Sequence, residues 1–460
     1  MARARTDPDG AVPALVVKIG RYPQEHVSLG VTRSLGRLGV PVHAMVEDRF
    51  TPSAVSRYLT GRLVLPTTGF EDQEELVAAL LRIGRTIGRR SVAVAVGDEA
   101  AVLLAEHADR LAPYFLLPPV PSGLPRRLAS KQELERICRR YGVRTPRTCT
   151  PGDRDELLAQ ARWLGYPLVL KNREAWTRLR APVVHHTTVV RDQRELLASC
   201  PSGGSPSVVL QEYIPAESAE DWFTQLYCDT AGVPRLVFTG HKLRSWPPGA
   251  GAASRASALP NPVVADLAAG LCRSIGYTGI ADLDWRFDHR DGHYKLVDFN
   301  PRVGSQFRLF ETVQGLDVVR ALYLDLTGGH LPDGPQRHGR TFVLGQLDVP
   351  SAAVTAWRLR RLPPAVLPRP GLERAWFSRD DPAPAAALAV RFAGTVTKRL
   401  ARPLTRPLAR SLARSLSDSR ADSADAAGDS AAGSGTAAGS GSADDPFRPG
   451  PDSRAGRRTE

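Results

Sequence analysis

Apolar positions follow two periods along this chain, and the switches between them outline its architecture. Residues 14–19 form a short apolar run, 27–38 carry apolar side chains at helical spacing, and 40–46 turn apolar again after Gly39. A further run over 91–96 closes on Gly97-Asp98-Glu99, which opens a predicted helix over 100–110. Short continuous apolar runs between helical patterns read as buried strands of a parallel, doubly wound sheet. That α/β pattern marks residues 1–118 as an N-terminal domain. No G-x-G-x-x-G follows its first strand, and G-x-x-x-x-G-K-[ST] is absent from the chain, so neither dinucleotide binding nor a P-loop is supported.

A proline-punctuated connection over 116–126 leads to Ser130, which with Glu133 predicts a capping box at a helix start. Beyond it the pattern predicts helices over 153–164, 192–199, 262–275 and 318–326. Strands are predicted over 167–171, 183–190 and 208–213, and antiparallel ones over 222–229 and 236–242. A hairpin, 279–287 with 293–299, closes through the turn 288–292. This is a mixed α+β block over 119–330, with a subdomain at about 150–212. Residues 331–400 read as a C-terminal extension with apolar clusters at 341–349 and 375–377. Residues 401–460 read as a basic repeat and a tail. From 418 onward Ser, Ala, Gly and Asp dominate, a composition too poor in large apolar residues to offset ordering entropy, so disorder is expected.

Composition narrows the class. The 460 residues are 42% hydrophobic and 24% charged, as in soluble globular proteins. The first ten residues hold Arg3, Arg5, Asp7 and Asp9 with no apolar run behind them, so no secretory signal is expected. No apolar stretch is long enough for a spanning helix. The five cysteines are scattered without C-x-x-C, which argues for reduced structural thiols and a cytoplasmic location rather than zinc or disulfides. The net charge of +13 is concentrated: 391–416 holds seven basic residues and no acidic one. Nucleic-acid binding by the folded body is therefore not required. Within 402–417 a tetrapeptide recurs, RPLT-RPLA-RSLA-RSLS. Its leucine and arginine faces suit a membrane surface or an acidic partner, but Pro403 and Pro407 favour a repeat that keeps the tail solvated.

The chemistry concentrates in Gly279-Ile-Ala-Asp282-Leu-Asp284-Trp and Tyr294-Lys-Leu-Val-Asp298-Phe-Asn300-Pro-Arg302. Strand alternation puts Asp282 and Asp284 on one face, and likewise Asp298 and Asn300. Antiparallel pairing would converge these oxygens. The carboxylates of Asp284 and Asp298 and the amide of Asn300 are hard ligands suited to Mg²⁺ (or Mn²⁺) shared with phosphate. Arg302 is placed to clamp a phosphate.

The run D-F-N-P-R-V-G resembles the E-x-N-P-R-x-G motif that closes the ATP-grasp catalytic domain, with Asp298 in place of the usual glutamate. The resemblance spans about 120–330, and it implies an ATP-grasp fold with an N-terminal pre-ATP-grasp domain and use of ATP with Mg²⁺. It casts Lys131 and Lys171 as phosphate lysines, and Gln211, Glu212, Tyr213 and Ile214 as the adenine hinge. Glu217 or Asp221 would hold the ribose. The phosphate-covering loop, usually glycine-rich, is here the glycine-free 172–182, with Arg173, Arg178 and Arg180. His185 and His186 in the next strand read as structural. Gly240-His-Lys242-Leu-Arg244-Ser-Trp-Pro-Pro-Gly-Ala-Gly251 resembles the K-x-R-x-x-P-P-x-x-G segment of carboxylate–amine ligase-like members, a group that includes D-aspartate ligases. Lys242 and Arg244 are expected on one face, Arg244 stabilising the transferring phosphoryl group or the tetrahedral adduct. The implied reaction turns a carboxylate into an acyl phosphate and passes it to an amine, both small molecules. A carboxylase or carbamoyl-phosphate type of enzyme, and a non-catalytic binding protein of the same fold, are the alternatives. Oligomeric state is open, a homodimer included.

Overall fold

In the computed structural model the described residues are 11–20, 25–173, 183–184, 187–200, 207–247, 251–360 and 371–394. Most of the loop 172–182, His185, His186, residues 248–250 of the glycine-rich turn, and the basic repeat and tail lie outside them. The chain divides into two compact units, Met1–Arg391 and Phe392–Glu460, and of the second only 392–394 are described. No helix among the described residues is long and apolar enough to cross a membrane.

The first sheet contains β1 (Ala14–Val17), β2 (Val42–Val46), β3 (Gly61–Val64), β4 (Ser91–Ala95) and β5 (Phe115–Leu116), all parallel, in the order β3-β2-β1-β4-β5. It carries α1 (His26–Gly36), α2 (Gln73–Ile87), α3 (Asp98–Glu106) and α4 (Ala108–Leu111). The predicted helix 100–110 is thus two, broken at His107. Residues 47–90, for which no element is predicted, hold β3 and α2. Local signals for α2 exist: Asp72 accepts a bond from Glu74 N, Leu76, Val77, Leu80 and Ile83 line its buried stripe, and Gly88 ends it in the left-handed region.

Two short helices follow, α5 (Leu124–Ala129) and α6 (Lys131–Arg140). Ser130 occupies the N-cap of α6 but makes no side-chain capping bond, and Glu133 pairs with Arg136 and Arg127 instead. The predicted capping box is not formed there. A four-stranded antiparallel sheet comes next: β6 (Thr148–Cys149), β7 (Leu168–Asn172), β8 (Thr188–Val190) and β9 (Val208–Glu212), in the order β6-β9-β7-β8. Its helices are α7 (Arg154–Leu164) and α8 (Gln193–Ser199). These helices are capped reciprocally: Asp153 and Asp192 accept from the amides of Glu156 and Glu195, whose carboxylates reach back to the amides of Gly152 and Arg191.

The largest sheet has seven strands in the order β14-β13-β10-β11-β12-β15-β16. They are β10 (Ala219–Cys228), β11 (Pro234–Trp246), β12 (Ala252–Ala258), β13 (Gly279–Asp288), β14 (His293–Asn300), β15 (Thr341–Val343) and β16 (Leu372–Arg374), with α9 (Pro262–Ser274), α10 (Val318–Leu326) and α11 (Gly345–Leu359). One face buries Leu226, Leu283, Trp285, Leu296 and Phe299 against residues of α5, α6 and α9. The other face packs Phe223, Tyr227, Phe238 and Ile280 against Phe310 and α10, and farther along it carries the polar residues of the hairpin. The boundary read at 330 falls inside this sheet, because β15 pairs with β12. Of the segment read as an extension, the residues up to Arg391 thus belong to the first unit.

Asp381 shows how deeply that segment is built in. Its carboxylate accepts from Arg33 Nε at 2.9 Å, Ser56 Oγ at 2.7 Å and Arg57 N at 2.9 Å, and both Arg33 and Asp381 are 1% exposed. Removing one partner of a buried pair leaves a charge uncompensated, at a cost of about 3–5 kcal/mol. Asp381→Ala is therefore expected to lose about that much stability in urea unfolding. Asp380→Ala, which breaks the exposed pair with Arg37, should lose about 1 kcal/mol or less. Equal losses would contradict the buried tie.

Candidate active site

The hairpin of β13 and β14 sets Asp282 opposite Asn300 and Asp284 opposite Asp298. Just beyond, Trp285 pairs with Leu296, so Val297 is an extra residue in the ladder. A bulge of this kind resets the alternation of side chains. Leu296 and Phe299 both turn into the core, while Asp298 and Asn300 line the cleft. With a strict period of two, Leu296 would share the face of Asp298. Alternation alone anticipates the convergence of the four polar residues, but not the bulge that permits it.

Cations close around that face. Lys242 on β11 reaches across the intervening β10 to Asp284 at 2.6 Å. Lys131, the first residue of α6, forms an ion pair with Asp298. Lys171 on β7 donates to Gln211 Oε1 at 3.0 Å. Arg302, just past β14, lies 3.1 Å from Asp282 and 3.3 Å from Asp98. A cleft of about 350 Å³ separates the four-stranded sheet from the seven-stranded one. Lys171, Gln211, Glu212, Tyr213 and Ile214 line one side, and Asp221, Lys242, Asp282, Asp284, Asp298, Asn300 and Arg302 the other.

Two expectations need correction. Arg244 does not join Lys242 in the cleft: its Nε and Nη2 both donate to Asp348 on α11 at 2.9 Å, and Arg255 shares that carboxylate. Ladder irregularities between Lys242 and Arg244, and between Arg244 and Ser245, break the alternation that predicted a common face. Ser245 lines the cleft instead. Glu217 is exposed and outside the cleft lining, whereas Asp221 lines it and pairs with Arg286 at 3.2 Å. Glu212 is occupied by Arg290 at 2.7 Å and Arg147 at 3.5 Å.

Two residues of the site escaped the sequence reading. Gln225 is fully buried and donates to Asp282 Oδ1 at 2.7 Å. Its signal was an amide in a strand apolar on both faces, which requires an internal partner. Asp98 follows β4 at the carboxyl end of the parallel sheet, beside the point where strand order reverses between β1 and β4; such points recurrently hold ligand sites. The glycine of the D-F-N-P-R-V-G run also acquires a reason: a Cβ on Gly304 would lie 1.7 Å from Gln225 Nε2 and 2.6 Å from Asp282 Cγ.

No family model matches the chain. It is 24% identical over 309 residues to the D-aspartate ligase of Enterococcus faecium (strain Aus0004), across 63% of this chain and 72% of that protein. The crystal structure of L-amino acid ligase from Bacillus licheniformis is similar with a TM-score of 0.54 at 19% identity, covering 72% of this chain and 79% of that one. The biotin carboxylase domain of Hydrogenobacter thermophilus 2-oxoglutarate carboxylase, in complex with MgADP, ADP and bicarbonate, is similar with a TM-score of 0.53 at 17% identity, covering 72% and 73%. The chain has the ATP-grasp fold.

Electrostatics in this cleft follow from burial and charge crowding. Burial and Asp284 push Asp282 above the usual carboxylate range, against Arg302. Burial alone would raise Asp298 too, but Lys131 and Lys171 more than reverse it and hold it low. Lys242 is raised despite burial, because Asp284 and Asp221 face it. Lys171 falls from 10.5 to about 8 through burial and the nearby Lys131.

The donor set also fits a magnesium ion. Among the described residues no three or more His, Cys, Asp or Glu gather as a metal cage. Asp284 and Asp298, each with a side chain 29% exposed, offer oxygens to an ion that draws its remaining ligands from water and phosphate, as Mg²⁺ does. Structural zinc would need a closed N/S set.

Lys171 gives a test of this field. Asp298 and Asp284 raise its basicity and the neighbouring ammoniums lower it. Competitive acetylation followed by mass spectrometry should therefore show Lys171 titrating near 8. Asp298→Asn should move that midpoint lower still, and an unmoved or higher midpoint would contradict the field described.

Proposed function

We propose that the chain is an ATP- and Mg²⁺-dependent ligase that activates a carboxylate as an acyl phosphate and joins it to an amine. The observation that carries this is the convergence, in one cleft, of two strand-borne lysines, a third lysine through Asp298, and the paired carboxylates of the hairpin. The similarity to a D-aspartate ligase supports the amine as acceptor.

In the first step an oxygen of the substrate carboxylate attacks the γ-phosphorus of ATP, the bond to the β-phosphate oxygen breaks, and ADP leaves. In the second, the amine nitrogen attacks the acyl carbon, inorganic phosphate leaves, and the nitrogen loses a proton to give the amide. Asp284, Asp298 and Asn300 would hold Mg²⁺, which neutralises and orients phosphate oxygens. Lys131, Lys171 and Lys242 supply positive charge to the phosphates, and Arg302 is placed by Asp98 and Asp282 to bind the transferring group or the substrate carboxylate. The backbone edge from Gln211 to Ile214 takes the adenine, and Asp221, which lines the cleft as Glu217 does not, would hold the ribose hydroxyls. Arg244 has no direct part, since Asp348 engages it. Most of the catalysis is positioning and fixed charge rather than proton transfer by side chains.

The test is an ADP-release assay over pooled amino acids and carboxylates with Mg²⁺. Release sustained over many turnovers is expected to require both a carboxylate and an amine. Asp298→Ala and Asn300→Ala should each lower turnover at least about a hundredfold, the order seen when a charge-stabilising group is removed, while circular dichroism stays unchanged. ADP release driven by bicarbonate with no amine, or wild-type release by both variants, would refute the assignment.

A further inference from the structure

The two carboxylates best placed for a divalent cation are already engaged. Asp284 is held by Lys242 at 2.6 Å and Asp298 by Lys131. We infer that these two lysines are exchangeable counter-ions, and that metal and nucleotide bind this cleft as a coupled pair because each releases the partner the other needs. The inference rests on the ATP reading above and assigns the lysines a second task within it.

The geometry makes the exchange necessary. Asp284 and Asp298 stand directly opposite each other on neighbouring strands, where like charges repel. Without an ion, something must neutralise them, and the lysines do. Lys242 is drawn to Asp284 from β11, across the whole width of β10. Lys131 sits at the start of α6, where the helix dipole disfavours a cation, and Asp298 compensates it. Lys131, Lys242 and Arg302 pair with Asp298, Asp284, and Asp98 and Asp282 in turn, and Lys171 lies in the field of Asp298 and Asp284, so each of these carboxylates has a cationic neighbour.

A nucleotide entering alone must pull the lysines away and leave two carboxylates facing each other and its phosphates. A divalent cation entering alone must leave two ammoniums beside the third, Lys171, in a partly desolvated floor. Entering together, the cation takes the carboxylates, the phosphates take the lysines, and no charge is stranded. Coupling of this kind is reciprocal and commonly amounts to about 5- to 150-fold in affinity.

The consequence runs against intuition: neutralising a metal ligand improves binding of the metal-free nucleotide. Calorimetry on the full chain with ADP in EDTA should show Asp284→Asn and Asp298→Asn binding ADP at least about fivefold tighter than wild type. Added Mg²⁺ should tighten wild type but change these variants little. Asp98→Asn removes an equal charge beside the cleft, where it pairs with Arg302 rather than with a lysine, and thermal unfolding is to confirm that all three variants are folded. Metal-free affinity in the two hairpin variants that is unchanged or weaker overturns the exchange while leaving the ligase reading intact, and so does an equal gain in Asp98→Asn. Absence of ADP binding by wild type with or without Mg²⁺ overturns both.

Discussion

Asp284 and Asp298 face each other across a single strand spacing, and like charges so placed repel. The fold nevertheless sets them there, partly buried in the lining of a cleft, with a lysine drawn to each from a distant element. Much of the surrounding arrangement serves this cluster. The fully buried Gln225 and the absent side chain of Gly304 fix Asp282, and Arg302 links Asp282 to Asp98 at the end of the parallel sheet. The backbone reinforces that junction, since Val303 N donates to Ala95 O.

Apolar packing holds the cluster in register. The face behind the carboxylates is closed by Leu283, Trp285, Leu296 and Phe299 against α9 and the helices before the small sheet. A shift of one residue in either strand would turn these side chains toward the cleft and the carboxylates into the core, at prohibitive cost. The bulge at Val297 reconciles a core spacing of three with a polar spacing of two on the same strand.

The sequence showed this part of the molecule well because its signals are local. Helix α10 spans the predicted residues 318–326, and the hairpin differs from expectation by one residue at the end of each strand. Asp284, Asp298, Asn300, Lys171 and the edge from Gln211 to Ile214 all meet in the cleft that alternation and motif order implied. What remained hidden depends on long-range pairing. The partner of Arg244 is Asp348, over a hundred positions away on α11, and no period along β11 reveals it. Strands β15 and β16 are three residues each, too short for a pattern, and only their neighbours in the sheet define them. Gln225 and Asp98 carried weak local signals that become chemical only beside Asp282 and Arg302.

The central claim is that the face of Asp284 and Asp298 grips a divalent ion against nucleotide phosphates. Electron spin-echo spectroscopy of Mn²⁺ added with ADP measures this directly, because Mn²⁺ substitutes for Mg²⁺ and reports the nuclei around it. The account predicts phosphorus coupling in a protein-bound Mn²⁺ spectrum that reverts to that of free Mn-ADP in Asp298→Asn. A bound spectrum without phosphorus coupling, or one untouched by that substitution, would contradict it.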